Sequence, residues 1–309
     1  MKVYAYNLKP LSGFRNPPRS STLWGHLAWA IRELEGEGSL LEWIEEHRSA
    51  LAENSPPPVR LSSAFPQDTL PRPLLPPVGV EETTLRKHMK AIRWLPLGAF
   101  KRVLAGGEEA LKELVASGEL EKMAGAMKDP VKFSRTRVAI SRDTGAAAAG
   151  LLFEESLSWF AGTLTIYAQT AGSMSPERLQ KLLGYVGITG YGGGSSVGNG
   201  HFELVGEPRE VDLPEASNGN YHLLLGPGLL PREPKGWWRT ETYWGRLGNV
   251  YAAAETPFKR PYFRIVEGSV LRNPRPALID LTPAGAPEDN VKVWENLDPL
   301  TLPVEVTRG

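Results

Sequence analysis

Residues 187–202, Gly-Ile-Thr-Gly-Tyr-Gly-Gly-Gly-Ser-Ser-Val-Gly-Asn-Gly-His-Phe, hold seven glycines in sixteen positions and no acidic side chain. Glycine reaches φ > 0 without steric penalty and weakens both helix and strand interiors, so the stretch must be a loop. Upstream, Ser175 and Pro176 read as an N-cap followed by a first-turn proline. Leu179, Leu182, Leu183 and Val186 then give one apolar helical face, and Gly187 is the expected stop just beyond it. Downstream, residues 201–205 alternate as a strand. Consecutive exposed N–H groups in such a loop form concave anion sites, which points to phosphate. A Walker A loop is excluded, because no lysine lies between Lys181 and Lys235. The dinucleotide fingerprint fails as well: Ser195 stands where a third glycine belongs, and the helix precedes the loop instead of following it. Helix, glycine loop, strand suits a loop laid along a polymer backbone; the plain alternative is a surface hairpin.

With 309 residues, 41% of them hydrophobic, the chain can bury a sizeable core, and about two domains are expected. No apolar run approaches membrane-spanning length and the N-terminus has no signal-like core, so a soluble, cytoplasmic protein without membrane contact is expected. Zero cysteines exclude disulfides and thiolate metal sites. The five histidines show no metal-ligand spacing, so neither metal nor cofactor is expected.

The formal net charge is zero, yet the charges are segregated. Residues 1–32 carry Lys2, Lys9, Arg15, Arg19 and Arg32 with no acid. Residues 83–107 carry Arg86, Lys87, Lys90, Arg93, Lys101 and Arg102, and residues 130–142 carry Lys132, Arg135, Arg137 and Arg142, again with none. Basic faces on a neutral chain suit a defined RNA path better than indiscriminate binding.

The pattern predicts a strand near 2–8, a helix opened by Ser20 and Ser21, a second helix near 40–51, a strand near 59–65 and a helix over 108–127. A hairpin follows, its strands at 136–141 and 150–154. Strand 162–169, the Ser175 helix, the glycine loop and strands near 201–205, 220–225 and 261–267 complete the chain. The predicted fold class is α+β, two tandem ferredoxin-like (RRM-like) domains at 1–158 and 159–309, with a thumb-like β-hairpin at about 136–154 and the glycine-rich loop 187–202.

Several motifs carry a resemblance. They are the glycine loop, Ser20-Ser-Thr-Leu-Trp-Gly-His-Leu27, Arg137-Val-Ala-Ile-Ser-Arg-Asp-Thr-Gly145, Ser62-Ser-Ala-Phe-Pro66 with Leu70-Pro-Arg-Pro-Leu74, Lys90-Ala-Ile-Arg-Trp-Leu-Pro-Leu97, and Lys259-Arg-Pro-Tyr-Phe-Arg-Ile-Val-Glu-Gly-Ser269. In order and spacing the chain resembles the RAMP superfamily of CRISPR proteins, and within it the subunit of type III-A (Csm) effector complexes that caps the 5′ end of the guide RNA. The resemblance implies a non-catalytic RNA-binding scaffold in antiviral defence, partnered by the guide RNA through its 5′ handle, by target RNA, by a large polymerase-like subunit and by an adjacent RAMP backbone subunit. It implies RNA contacts from Arg15, Arg19, Ser20 and Ser21, from Lys87, Lys90 and Arg93, and from Arg135, Arg137 and Arg142. In the loop it implies contacts from Gly190, Gly192, Gly193, Gly194, Ser195, Ser196, Gly198 and Gly200. Thr144, Gly145, Ala146, Ala147 and Ala148 would form the tip of a thumb that wedges into the guide–target duplex.

Other readings stay open on the residues alone. A RAMP endoribonuclease that processes guide precursors would need an acid–base pair, and His26 and His201 are the candidates near the expected RNA path. His26 also reads as an ordinary structural histidine. The capping subunit of a type III-B (Cmr) complex would share fold and role. Trp237, Trp238 and Trp244, interleaved with Arg239 and Arg246, fit either RNA base stacking or a subunit interface.

Overall fold

The computed structural model describes residues 2–124, 129–141, 144–216, 219–248, 251, 257–283 and 292–306, and the side chains of 148–151 lie outside that description. In chain order the elements are β1 (Val3–Pro10), α1 (Ser20–Glu35), α2 (Glu37–Glu53), β2 (Val59–Leu61), β3 (Phe65–Pro66), β4 (Thr69–Pro71), α3 (Thr83–Ala91), β5 (Trp94–Pro96), α4 (Leu97–Ala116) and α5 (Glu119–Ala124). Then come β6 (Val131–Ile140), β7 (Ala147–Trp159), β8 (Leu164–Thr170), α6 (Pro176–Thr189), a 3₁₀ turn at Ser195–Val197, β9 (Phe202–Val211) and β10 (Tyr221–Leu224). The remainder is short strands: β11 (Gly236–Trp237), β12 (Thr240–Tyr243), β13 (Tyr262–Ile265), β14 (Val270–Leu271), β15 (Leu278–Asp280), β16 (Trp294–Asn296) and β17 (Thr301–Val304). No helix among the described residues is long and apolar enough to cross a membrane.

The main sheet runs β2-β8-β1-β9, with β3 also paired to β8, and every pairing is antiparallel. Taken along the chain it is β1–α1–β2/β3 followed by β8–α6–β9, which is one ferredoxin-like unit. The expected division near 158–162 is therefore corrected. Strand 3–10 pairs with strands 164–170 and 202–211, so a cut there would split a single sheet. Among the described residues the second sheet, β11-β14-β10-β17, has no α-helix between its strands, so it does not repeat the strand–helix–strand order of the first. Its helical cover is α3 to α5, which lie inside the long insertion between β3 and β8.

Both faces of the main sheet are buried. Tyr6, Leu8, Leu164 and Ile166 pack under Leu23, Leu27 and Ile31 of α1 and Leu179, Leu182 and Val186 of α6. The other face, Ala5, Phe65 and Tyr167, joins Phe100, Val103 and Leu111 of α4 and Leu223, Val270 and Leu302 of the second sheet. That two-sided burial explains why five successive residues of β8, Leu164–Ala168, are buried. Ser62 and Ser63 stitch the layers together: the Ser62 Oγ accepts the Tyr167 N–H at 2.8 Å, and the Ser63 N–H donates to Leu225 O at 2.7 Å.

Three local expectations change. The helix expected over 108–127 begins at Leu97, bends at Gly107, where φ is +64°, and ends at Ala116 before α5. Gly187 lies inside α6, where an added Cβ would meet the Phe202 carbonyl, and the helix stops at Gly190 instead. The hairpin is longer than expected. Its strands pair from Val131↔Trp159 to Ile140↔Ala147, so Ala147 and Ala148 belong to β7 and residues 141–146 connect the two strands. The Ser175 cap stands as expected, its Oγ accepting the Arg178 N–H at 3.1 Å.

Candidate functional site

The glycine loop, the base of the β6–β7 hairpin and the segment 11–19 meet at one place. The loop is closed by the Tyr191 N–H donating to Gly200 O at 2.8 Å, and the Gly200 N–H reaches Gly13 O at 2.9 Å. On its other side the same segment is zipped to the hairpin, with Phe14 and Ser158 exchanging both backbone hydrogen bonds. Tyr191 is buried. Its hydroxyl donates to Pro17 O at 3.1 Å and accepts the Arg19 N–H at 2.9 Å, and burial pushes its ionisation well above the usual range.

At the centre sits Glu155, its side chain only 1% exposed. Arg15 Nε donates to its Oε1 at 2.6 Å and Arg135 Nη2 to its Oε2 at 2.8 Å, while Arg137 Nε stands 2.6 Å from Oε2 as an ion pair. Asn199, buried in the loop, donates to Oε1 at 2.9 Å and accepts from Arg135 at 2.8 Å. Arg137 also donates to Val197 O at 3.3 Å. Burial raises the Glu155 ionisation, but the hydrogen bonds from Arg135 and Arg15 and the charges of Arg15 and Arg137 outweigh it and hold the group at about 2. Three guanidinium groups against one carboxylate leave the cluster net positive. Arg15 and Arg135 keep 39% and 42% of their side chains exposed, so that surplus faces solvent.

The loop glycines divide into two kinds. A Cβ on Gly200 would collide with the Tyr191 backbone, and one on Gly190 would press on Asn199 O at 2.8 Å. Gly192 and Gly198 hold φ of +75° and +88°, yet a Cβ there would meet open space. The outer rim is therefore backbone open to approach, which is the requirement for N–H contact with phosphate. Gly193 has no positive φ, and its neighbour is the Arg15 side chain at 3.2 Å.

His26 is not a free acid–base group. Its Nε2 accepts the Gly192 N–H at 2.8 Å, and burial, with the Lys259 charge, lowers its ionisation to about 4. A neutral ring with Nε2 as acceptor carries its proton on Nδ1, so His26 works as a strut for the loop. His201 meets the same segment through its backbone, its N–H donating to Ser12 Oγ at 2.8 Å. Among the described residues, no group of three or more His, Cys, Asp or Glu side chains is placed to hold a metal.

The chain is 25% identical over 254 residues to the CRISPR system protein Csm4 of Thermococcus onnurineus strain NA1, an alignment covering 76% of this chain and 78% of the relative. The chain is thus similar to a Csm4 protein over three quarters of its length. Its fold matches a chain of the Csm3–Csm4 subcomplex of the type III-A CRISPR–Cas interference complex, with a TM-score of 0.64 at 18% identity over 99% of this chain and 100% of that one. It also matches a chain of the Csm1–Csm4 cassette in complex with pppApA, with a TM-score of 0.63 at 19% identity over the whole of both chains. No family model matches the chain. The structural likenesses show that the chain shares the α+β fold of these neighbours.

The expected site residues fall into four groups. Arg15, Arg135, Arg137 and the loop residues Gly190, Gly192, Gly193, Gly194, Ser195, Ser196, Gly198 and Gly200 come together at the Glu155 cluster. Ser20 and Ser21 do not face a strand. Both are buried, Ser20 beneath Gly226, and the Ser21 Oγ accepts from Arg264 at 3.2 Å. They sit inside the first turn of α1, which has no side-chain cap, and Arg19 beside them pairs with Glu241 and Glu267. Lys87, Lys90 and Arg93 are exposed on and just after α3, which packs on α4 in another layer. Thr144, Gly145 and Ala146 form the exposed hairpin turn, whereas Arg142 and the Ala148 side chain lie outside the described residues. Sequence reasoning missed Glu155, Asn199 and Tyr191. The signal for Glu155 was its register position, facing Arg135 across the hairpin.

Proposed function

We propose that this chain is the non-catalytic subunit of a type III-A (Csm) effector complex that holds the 5′ handle of the guide RNA and caps the backbone filament against the large polymerase-like subunit. The observation that carries the reading is the cluster around Glu155, where three arginines and an open glycine rim converge. Guanidinium groups and backbone N–H groups contact phosphates without reading sequence, which suits a scaffold that must seat any guide by its constant end. The hairpin extends from the same cluster with most of its described residues exposed, which suits a wedge against the guide–target duplex. Partnership with a Csm1-like large subunit and a Csm3-like backbone subunit is supported by the assemblies in which its structural neighbours were solved. The engagement of His26 with the loop weighs against the ribonuclease reading.

Co-expression with the neighbouring effector subunits, followed by sequencing of the co-purified RNA, tests this. The expected RNA carries a repeat-derived 5′ end, and its retention falls when Arg135 and Arg137 are both replaced by alanine. Time-dependent cutting of labelled repeat RNA, abolished by His26→Ala, would overturn the scaffold reading.

A further inference from the structure

The segment 237–246 holds three tryptophans that part company in the fold. Trp237 packs on Tyr221, 5.5 Å between ring centroids, and Trp238 is half-buried beside Leu224 and Ile265. Trp244 is 62% exposed. It follows β12, which pairs with β13 as a two-stranded ribbon through Glu241↔Arg264, Thr242↔Phe263 and Tyr243↔Tyr262. Alternation gives that ribbon two unlike faces.

The inner face is a buried ion network on the first turn of α1. Arg264 donates to Glu241 at 2.6 Å, lies 3.7 Å above the Tyr243 ring and reaches Ser21, while Lys259 pairs with buried Glu295 at 2.6 Å. Glu241 is the only acid on the two strands, and it is consumed there by Arg19 and Arg264. The outer face carries exposed Thr240, Thr242 and Phe263, with Ile265 turned into the core, and Trp244 and Phe258 lie beyond the ends of the two strands. Phe263 is 71% and Phe258 42% exposed, and the Trp244 and Phe258 rings lie 4.8 Å apart. The Arg246 guanidinium stands 6.0 Å from the Phe258 centroid, and Arg239 is exposed where β12 begins.

We infer that Phe263 on the outer face of this ribbon, with Trp244 and Phe258 beyond the strand ends, forms a stacking platform for unpaired bases of single-stranded RNA. The inference rests on the RNA-holding reading of the chain and adds a second site to it. Open ring faces accept bases of any sequence, and guanidinium groups beside them attract the connecting phosphates. A partner protein with an acidic rim is the weaker fit, because the exposed rings stand on a narrow two-stranded ribbon. The ribbon is also continuous with the glycine-loop site: Arg19, which pairs with Glu241, donates its N–H to Tyr191 of the loop.

The test uses the full chain and a single-stranded oligouridine carrying 5-iodouridine. Photo-crosslinks are expected on the peptides that hold Trp244 and Phe263. Trp244→Ala and Phe263→Ala should each weaken oligouridine binding roughly tenfold, Phe263→Trp should retain it, and duplex RNA should be insensitive to all three. Because these rings are exposed, the variants should unfold at the wild-type temperature. Wild-type affinity in the double alanine variant, with Gly198→Val still defective for handle RNA, would overturn the platform and leave the proposed function standing. Binding of neither handle RNA nor oligouridine by the wild-type chain would overturn the RNA-holding reading itself. Variants that keep RNA but lose a co-purifying effector subunit would make the ribbon a protein interface, and the inference would be wrong.

Discussion

Replacing Glu155 by glutamine keeps the shape of the side chain and the acceptor used by Asn199 but removes the charge that gathers Arg15, Arg135 and Arg137. The folded protein holds this carboxyl at about 2 against an ordinary 4.5, a gap worth about 3 kcal/mol of preference for the charged form. The arginines reach solvent and can turn outward, so about half of that, roughly 1–2 kcal/mol, should appear as lost stability. Thermal unfolding should fall by about 2–4 °C per kcal/mol. The loss should also be local: amide exchange should accelerate in 131–137, 153–159 and 194–200 before it does in β1 or β8. The pH dependence has a definite sign. Because the folded value is depressed, the contribution is complete above about pH 4.5 and disappears as pH falls toward 2, so wild type and Glu155→Gln should converge only in that acid range. Equal melting temperatures and equal hairpin protection at pH 7, in low and high salt, would refute the role of Glu155 as the clasp.

Four further outcomes rest on the same geometry. Gly200→Ala should destabilise by about 2 kcal/mol or more, because the left-handed conformation and the Tyr191 backbone both oppose a side chain, whereas Gly198→Val should leave the fold nearly intact and lower handle-RNA affinity; chemical denaturation paired with RNA binding separates the two. His26 and His47 are both held neutral by burial, at about 4 against 6.5, so stability should be flat above pH 6.5 and fall as pH drops from 6.5 to 4, by about 3 kcal/mol for each; a flat profile in denaturant titrations across that range would contradict it. Neutralising Lys87, Lys90 and Arg93 together should reduce the slope of log affinity against log salt by about 0.7 for each phosphate no longer neutralised, and an unchanged slope would assign that face of α3 to a protein. Shortening the connection 141–146 should leave guide loading intact and alter only the chemical reactivity of bases at the first step of the guide–target duplex; loss of the guide would place the connection in the handle site.

Helices α1, α2 and α6 and strands β1 and β8 were legible because period and punctuation agree in them. Ser175-Pro176 opens α6, and Leu179, Leu182, Leu183 and Val186 recur on one face of it. Their assembly was not legible. Strand–helix–strand repeated twice along a chain describes two tandem units and one unit with a long insertion equally well, and only the pairing of 3–10 with 164–170 decides between them. The stretch 83–107 was read for its charge, and its helices were passed over: the basic residues alternate with Leu85, Met89, Phe100 and Val103, which turn into the second core. Charge and amphipathic period coexist on such a helix, and the run of cations hid the apolar face.

The site was half legible for a similar reason. Glycines and arginines announce themselves by type, so the loop, Arg15, Arg135 and Arg137 could be singled out without knowing where they lie. Glu155 could not. It sits beside Glu154 in a strand that looks solvent-facing, and only the hairpin register, Arg135↔Glu155, turns it inward toward Asn199 and Arg15. Ser20 and Ser21 show the opposite error. Their type and position suggested a cap open to phosphate, yet the ribbon bearing Glu241 and Arg264 covers them, and that ribbon is distant in the chain. The outcome has a physical consequence for the site. A buried acid that stays ionised below the range of ordinary carboxylates fixes the arginines to one another, so the hairpin and the glycine loop are held as one surface in the free chain. Preorganisation of that kind removes part of the ordering cost of binding. It also means that the geometry of the hairpin and the grip of the loop should fail together when Glu155 is replaced, and separately when the 141–146 connection or Gly198 is changed.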